Sequence, residues 1–377
     1  MAGLALSDYR RLVVKVGSSL LIDTAGELNR HWLETLSDDV SRLAKDGHEI
    51  LIVSSGAIAI GSSVLGINKG RARLEDLQAA AAAGQVQLVH AYQDMLGLYG
   101  IAAAQVLLTP DDTENRRRFL NARGTLNRLL GRGVIPIINE NDTVATEEIR
   151  YGDNDRLAAR VAQLVMADAL ILLSDVDGFY TADPGTNADA EHVQVVKRIT
   201  NDVLGMAGEA RSDVGSGGMA TKVQAARIAT HAGCSTIIAS GTIDHPISAL
   251  LSGARHTVFR AEGTPAAARK QWLAGVLEVQ GELCVDEGAV NALRNGKSLL
   301  PVGVVDVVGN FRRGDVVNIT GPAGEELGRG LAEYADSEAS RLIGCQSGQI
   351  EDKLGYRGRS VMVHRDELVL FGNDSDE

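Results

Sequence analysis

The sequence predicts an α/β protein: a three-layer αβα sandwich around a mostly parallel central sheet, followed by a small β-rich C-terminal domain. Two observations predict it. Over the first two-thirds of the chain, short uninterrupted apolar runs alternate with amphipathic segments, which is typical of parallel strands buried on both faces. Beyond residue 260 the apolar runs are punctuated by glycines and mixed with polar positions, as in a half-exposed β domain. The length of 377 residues suits two or three domains.

The predicted strands of the larger region are runs of mainly β-branched and leucine residues, and most lead into a polar or glycine-containing loop. They are residues 12–16, 50–53, 106–108, 134–138, 170–173 and 236–238. Apolar residues spaced three and four apart predict helices between them, at residues 32–43, 77–98, 119–130 and 157–165. Ligands of such sheets bind beyond the carboxyl ends of the strands, so the loops there are the expected site.

Changes in composition predict the domain boundaries. The larger first domain is expected at residues 1–262, a linker around Pro265 at 263–280, the β-rich domain at 281–364 and an acidic tail at 365–377. Strands expected in the second domain are residues 283–285, 302–308 and 316–319.

Composition also excludes several classes of protein. Acidic residues outnumber basic ones 49 to 37, giving a formal charge of −12, so the whole molecule is a poor nucleic-acid binder unless one domain carries a local basic face. Cys234, Cys284 and Cys345 have neither disulfide-framework nor zinc-ligand spacing, so neither a disulfide framework nor a zinc site is expected. No apolar run approaches the roughly 20 residues of a membrane helix, and residues 1–10 lack a signal pattern. We therefore expect a cytoplasmic protein with no membrane partner.

Two loops place small residues at strand ends. In residues 15–19, a lysine followed by glycine and two serines can set a cation and backbone N–H groups against a phosphate. The alternative is a lysine whose head group simply reaches solvent at a strand edge. In residues 54–57 the small side chains leave a helix N-terminus open to an anion, although an ordinary tight turn has the same composition.

A third region is rich in amides and acids. Residues 139–142 follow a strongly apolar run, and residues 151–155 lie shortly beyond them. Their amides and carboxylates could hold the ammonium and carboxylate groups of a zwitterionic ligand. The alternative is turn and helix-capping chemistry, with Asp153 or Asn154 as the cap of the next helix.

The fourth loop pairs residues 174–178 with the glycine-rich segment 215–222, which leads into a helix with Lys222 in its first turns. Glycines allow backbone amides to approach a polyphosphate, and the lysine adds a point charge. Residues 215–220 formally satisfy a dinucleotide-binding pattern, but polar residues rather than a strand precede them. Residues 295–298 resemble the end of a Walker A loop, but Asn291 stands where that motif requires glycine.

Taken in order, these motifs resemble the amino acid kinase superfamily: VVKVGSS, IVSSGAIAIG, PIINENDTVAT with YGDND, LLSDVDGFYTADP and GSGGMATK. The likeness spans roughly residues 10–255 and is strongest to the kinases that phosphorylate the side-chain carboxylate of glutamate. The stretches GELCVDEGA and SLLPVGVVDVVGNFRRGD resemble a PUA domain. The resemblance implies the amino acid kinase fold for the larger domain. Ser174 and Ser216 depart mildly from the pattern, since threonine is common at both positions, but the hydroxyl is retained.

The resemblance also implies a role for each matching residue. The implied catalytic residues are Lys15, Lys222, Asp153 and Asp175. The implied ATP-binding residues are Lys15, Ser174, Asp175, Ser216, Gly217, Gly218, Met219, Ala220, Thr221 and Lys222. The implied substrate-binding residues are Ser55, Asp142 and Asn154.

The implied reaction is ATP-dependent phosphorylation of the γ-carboxylate of L-glutamate, the first step of proline biosynthesis, with ATP and Mg²⁺ as cofactors and Mg²⁺ held by few direct protein ligands. Proline is the implied feedback inhibitor, and a homo-oligomer (dimer or tetramer) is the implied assembly. Because the product is an acyl phosphate prone to cyclise, we expect its hand-off to glutamyl phosphate reductase. One rival is RNA binding through Arg312, Arg313 and Arg329 of the β-rich domain, which the acidic net charge disfavours. Another is a kinase for acetylglutamate or a nucleoside monophosphate.

Overall fold

The structure, a computed structural model, describes residues 9–23, 26–144, 146, 154–208, 218–275 and 278–371. The chain forms two compact units, residues 1–265 and 266–377, and each is described by itself. Among the described residues, no helix has both the length and the apolar character needed to cross a membrane.

The first unit alternates strands and helices along the chain. Its strands are β1 (Arg11–Val16), β2 (Glu49–Ser54), β3 (Ala103–Leu108), β4 (Ile135–Glu140), β5 (Ala169–Ser174), β6 (Phe179–Tyr180), β7 (His192–Val193), β8 (Val195–Val196), β9 (Ser235–Ser240) and β10 (His256–Phe259). Its helices are α1 (Ser18–Leu21), α2 (Arg30–Lys45), α3 (Ala57–Leu65), α4 (Leu74–Gly97), α5 (Pro110–Glu114), α6 (Arg116–Leu130), α7 (Asn154–Val165), α8 (Asn201–Met206), α9 (Met219–His231) and α10 (Pro246–Leu251).

Within the described part of this unit, eight strands form one sheet in the order β3-β4-β2-β1-β5-β9-β10-β8. The pairs from β3 to β9 are parallel, and β10 runs antiparallel to β9. Because β1 lies between β2 and β5, the chain winds first to one side of β1 and then to the other. The carboxyl ends of these central strands therefore meet at a topological switch point, where ligands bind in such sheets.

Alternation along β1 separates two hydrophobic cores. Val14 belongs to the cluster packed under α2, α4 and α10, whereas Val13 belongs to the cluster packed under α6, α7 and α9. Successive strand side chains point to opposite faces, so each face of the sheet is covered by its own helical layer. The predicted three-layer αβα sandwich with a mostly parallel sheet is confirmed.

Helices α3 and α4 pack against each other through glycines. A Cβ atom on Gly61 would lie 1.7 Å from the Ala80 carbonyl oxygen, and one on Gly84 would lie 1.9 Å from the Ala57 carbonyl oxygen. No real side chain tolerates such distances, so only glycine permits this approach of the two backbones. The contact fixes the position of α4 against the turn that follows β2.

The second unit is built on a smaller sheet. Its strands are β11 (Gly281–Val285), β12 (Val304–Gly309), β13 (Val316–Thr320), β14 (Glu326–Leu331) and β15 (Leu368–Leu370), in the order β12-β11-β13-β14-β15. Its helices are α11 (Pro265–Ala274), α12 (Glu287–Arg294), α13 (Asp336–Arg341) and α14 (Ile350–Leu354). One hydrophobic cluster fills this unit, and Phe311 is buried within it. The predicted β-rich second domain is confirmed.

Several segments differ from the predicted ones. Helix α11 occupies part of the predicted linker, because Pro265 is well suited to a first helical turn and the residues after it are strong helix formers. Strand β15 lies within the predicted tail, where it pairs with β14. Residues 301–303 form a 3₁₀ turn, so the strand expected from residue 302 begins at Val304.

Candidate active site

Lys15 is a buried lysine near the carboxyl end of the central strand β1. Only 7% of the residue is exposed. Because it lies two positions beyond Val13, its side chain points to the layer that contains α7 and α9. Its Nζ lies 2.6 Å from Oδ1 of Asp155, in the first turn of α7. The burial excludes the alternative of a lysine whose head group reaches solvent.

Lys222 approaches the same carboxylate from another helix. It lies in the first turn of α9, whose N-cap residue is Gly218, and only 4% of the residue is exposed. Its Nζ lies 3.2 Å from Oδ2 of Asp155. Two ammonium groups that are 207 positions apart (222 minus 15) thus share one carboxylate, each on its own oxygen.

Asp155 is fully buried between these two cations. Burial alone would raise the pKa of its carboxyl group, but the charges and hydrogen bonds of Lys15 and Lys222 outweigh that effect and hold the pKa below its usual value. The carboxylate is therefore ionised throughout the neutral range. It fixes both ammonium groups at the carboxyl edge of the sheet.

Asn154, the residue before Asp155, bonds to the ends of two neighbouring strands. Its Nδ2 donates to the Ser54 carbonyl oxygen (3.1 Å), to Ser55 Oγ (2.8 Å) and to Asn139 Oδ1 (2.9 Å). Its amide nitrogen thus joins the end of β2 and the turn after it to the end of β4. Two of the predicted substrate-binding residues, Ser55 and Asn154, are in direct contact.

Helix α4 adds two side chains to the polar cluster formed by Ser54, Ser55, Asn139 and Asn154. Gln85 Oε1 accepts a hydrogen bond from Asn139 Nδ2 (2.8 Å), and the Tyr92 hydroxyl lies 3.1 Å from Ser54 Oγ. Burial raises the pKa of Tyr92, so its phenol stays protonated. Both contacts lie at the edge of the sheet where Asn154 bonds.

The end of β5 supplies a hydroxyl and a carboxylate. Ser174 is buried and its Oγ donates to Asp175 Oδ1 (2.8 Å), whereas the Asp175 side chain is exposed. In the parallel register Leu173 pairs with Val16, so Asp175 lies beside the turn that follows β1. Gly17 in that turn lies with its Cβ position 3.9 Å from Lys15 Nζ, which leaves the backbone open toward the lysine.

The remaining predicted residues divide into two groups. Asp142 lies half-buried in the turn after β4, and Gly218 to Thr221 form the start of α9, with Thr221 Oγ1 bonded to the Gly218 carbonyl oxygen (2.7 Å). Asp153, Ser216 and Gly217 lie outside the described residues.

Sequence reasoning missed three residues of the cluster. Asp155 and Asn139 stand inside the acid- and amide-rich segments, but no signal distinguished them from their neighbours. Gln85 lies within a helix rich in alanine, and only the structure, through its burial (6% exposed) and its hydrogen bond with Asn139, shows that it is part of the cluster.

Known proteins match this chain along nearly all of its length. The model of the amino acid kinase family matches residues 10–240, and the model of the PUA domain matches residues 281–354. A glutamate 5-kinase of Rhodopseudomonas palustris (strain HaA2) is 54% identical over 371 residues, which cover 98% of this chain and 99% of the relative. A glutamate 5-kinase of Nitrobacter hamburgensis (strain DSM 10229 / NCIMB 13809 / X14) is 54% identical over 373 residues, 99% of this chain and 98% of the relative.

Among solved structures, the carbamate kinase from Giardia lamblia bound to AMP-PNP is similar to the chain with a TM-score of 0.49 and 16% sequence identity. The likeness covers 67% of this chain and 98% of that one.

Proposed function

The chain belongs to the amino acid kinase family and, within it, to the glutamate 5-kinases, and from this premise we propose how its residues carry the reaction. The enzyme transfers the γ-phosphoryl group of ATP to the γ-carboxylate of L-glutamate, yielding L-glutamyl 5-phosphate and ADP, the first step of proline biosynthesis. A carboxylate oxygen forms the new P–O bond, while the bond from the γ-phosphorus to the β,γ-bridging oxygen breaks and its electrons stay with ADP.

One observation supports the placement of both substrates. Asn154, which contacts Ser55, and Asp155, which holds the two lysines, are consecutive residues at the start of α7. Consecutive Cα atoms lie only about 3.8 Å apart. An amino acid bound at Asn154 and Ser55 and a phosphate bound at Lys15 and Lys222 would therefore be neighbours. This adjacency is what transfer between two bound substrates requires.

The acceptor needs no general base. A glutamate side chain has a reference pKa of about 4.3, so its carboxylate is already a nucleophilic anion at neutral pH. What remains is to bring two anions together and to stabilise charge on the transferring phosphoryl group. We assign that work to Lys15 and Lys222, with Asp155 as the residue that positions both ammonium groups.

The helix α9 and the end of β5 would complete the nucleotide site. Gly218 to Lys222 open α9, whose N-terminal backbone N–H groups favour a phosphate. Ser174 and Asp175 project from β5 beside the β1 turn, as expected of residues that contact the nucleotide.

The residues present fit Mg²⁺ as an ion that arrives with ATP. Both oxygens of Asp155 are occupied by lysines, whereas Asp175 is exposed and, within the described part of the chain, its assigned hydrogen bond is the one that Oδ1 accepts from Ser174. Asp175 is thus the residue that would hold the ion, through water. When bound, the ion neutralises charge on the phosphates.

Regulation and assembly follow as further proposals. Proline shares an α-carboxylate and an amine nitrogen with glutamate, so we place proline inhibition at the pocket of Asn154 and Ser55. An acyl phosphate is prone to cyclise, which favours hand-off to glutamyl phosphate reductase. A homo-oligomer and a cytoplasmic location complete the proposal.

A coupled assay of ADP release tests the function. With ATP and Mg²⁺, L-glutamate should support turnover, while N-acetylglutamate, aspartate, carbamate and UMP should not. Turnover with N-acetylglutamate or UMP in place of glutamate would contradict the proposed substrate. The same assay with proline as inhibitor should show competition with glutamate, and non-competitive inhibition would move the proline site elsewhere.

A further inference from the structure

We propose that Gln85 is a positioning residue of the amino-acid pocket, acting through Asn139 on Asn154; the inference rests on the proposed function, because it takes Asn154 as a glutamate ligand. Gln85 lies in α4, which supplies none of the predicted site residues. Its side chain is buried at the end of β4, where Asn139 is 3% exposed.

The hydrogen bonds around Asn139 have one possible polarity. The backbone N–H of Glu140 can only donate, so the atom that it meets at 2.9 Å is the carbonyl oxygen Oδ1 of Asn139. The amide nitrogen Nδ2 of Asn139 must then face Gln85, and the atom that accepts its hydrogen bond at 2.8 Å is Gln85 Oε1.

The same reasoning fixes Asn154. The Ser54 carbonyl oxygen can only accept, so the atom of Asn154 that meets it at 3.1 Å is Nδ2, which also donates to Asn139 Oδ1. The amide oxygen of Asn154 therefore points away from these groups. Gln85, Asn139 and Asn154 thus form a chain in which each amide sets the orientation of the next.

Stability alone does not explain Gln85. Its Nε2 is buried and has no hydrogen-bond partner among the described residues, so its one assigned contact of this kind is the bond to Asn139. A buried amide that is only half satisfied is costly, and replacing Gln85 and Asn139 together by apolar side chains would remove both that cost and the need for their hydrogen bond. A buried residue that lowers stability and orients a substrate ligand is explained by function and not by the needs of the fold.

Gln85→Met tests the inference, because methionine keeps the length and loses the acceptor. We expect the KM for glutamate to rise at least tenfold and the KM for ATP to stay within twofold, while the thermal midpoint falls modestly because Nδ2 of Asn139 loses its acceptor. Gln87→Met is the matched control, since Gln87 lies two residues further along α4 and is exposed; it should leave both KM values unchanged.

Two further variants sharpen the test. Gln85→Glu retains an acceptor for Asn139, so its rise in the KM for glutamate should be at least a third smaller than that of Gln85→Met. This variant keeps the test decisive even if the methionine variant folds poorly. In an Asn139→Ala background, Gln85→Met should add less than twofold, because the two residues act in series. An unchanged KM for glutamate, or full additivity with Asn139→Ala, overturns the inference. A wild-type enzyme that releases no ADP with glutamate instead overturns the proposed function as well.

Discussion

At the scale of single residues, the charge on Asp155 determines how the two lysines are held. Its carboxylate contacts Lys15 at 2.6 Å and Lys222 at 3.2 Å, and it is fully buried. Removing one partner of a buried ion pair lowers the free energy of unfolding strongly, because the remaining charge stays buried without a counter-charge. The three residues should therefore respond to mutation as one unit.

Lys222→Ala should lower kcat at least about 100-fold while changing the KM for glutamate by less than about threefold, because the cation acts on the transferring phosphoryl group. Steady-state kinetics of ADP release measures both values. Lys197→Ala, which removes an exposed lysine of the same unit, is the control. An unaltered kcat in Lys222→Ala would defeat the assignment.

Asn154→Ala should act on the other substrate. Loss of its amide should raise the KM for glutamate at least about tenfold, because a half-buried hydrogen-bonding partner is then missing from the pocket. The KM for ATP should change little. Steady-state kinetics with glutamate and then ATP as the varied substrate gives the two KM values separately. A change confined to the KM for ATP would show that the amino-acid site is elsewhere.

Asp155→Asn should cost about 3–5 kcal/mol in free energy of unfolding at pH 7, since two buried ammonium groups lose their carboxylate. The folded-state pKa of Asp155 is lowered, so its stabilisation is complete well above the unfolded-state value of about 3.9 and is lost as the pH falls through the folded-state pKa. Urea unfolding should thus show a difference between wild type and variant that is largest at neutral pH and narrows in acid. A difference independent of pH from 7 to 3 would exclude this role.

At the scale of secondary-structure elements, the glycine contact between α3 and α4 places the side chains of α4 at the site. Gly84 precedes Gln85 directly, and a Cβ at position 84 would meet the Ala57 carbonyl oxygen at 1.9 Å. Residue 57 opens α3, immediately after the turn that contains Ser55 and Gly56. The glycine contact therefore fixes the position of the α4 backbone relative to the turn whose Ser55 contacts Asn154.

Gly84→Ala should destabilise the protein by about 1–3 kcal/mol or more, because the two helices must separate to admit a methyl group. Gly97→Ala on the same helix is the control: no atom of the described residues lies within 4 Å of its Cβ position, and alanine favours helix by up to about 1 kcal/mol. Relative to wild type, chemical unfolding should give a lower free energy of unfolding for Gly84→Ala and a higher one for Gly97→Ala. Equal stabilities would show that α3 and α4 do not approach each other this closely.

At the scale of the whole molecule, charge argues against RNA as a partner. The formal charge is −12, and two of the three arginines considered for RNA binding contact carboxylates of their own unit. Arg313 lies 3.4 Å from Glu333, and Arg329 lies 3.1 Å from Glu326. Their positive charge is partly compensated within the second unit, which weakens attraction to phosphates.

We accordingly expect no complex with tRNA in a gel-shift assay at physiological salt and micromolar protein. Nucleic-acid affinity weakens steeply with salt. Binding that persists above about 150 mM salt would instead assign the second unit an RNA-binding role.

The sequence by itself determined the layers of the larger unit and the loops that contain the chemistry. Apolar runs such as those around Val13 and Ile171, separated by amphipathic helices, are local patterns that residue spacing expresses directly. Glycine, hydroxyl and amide residues after the strands are equally local, which is why the loops that contain Lys15, Ser55 and Asn154 could be chosen as candidates.

Only the tertiary structure decided which of these residues meet. The central place of β1 between β2 and β5 brings Lys15 to Asp155, and the packing of α9 brings Lys222 to the other oxygen of the same carboxylate. The sequence also did not predict that β10 runs antiparallel to β9 or that Gln85 contacts Asn139. Such contacts join residues far apart in the chain, and they depend on strand order and helix packing, which no local spacing of residues encodes.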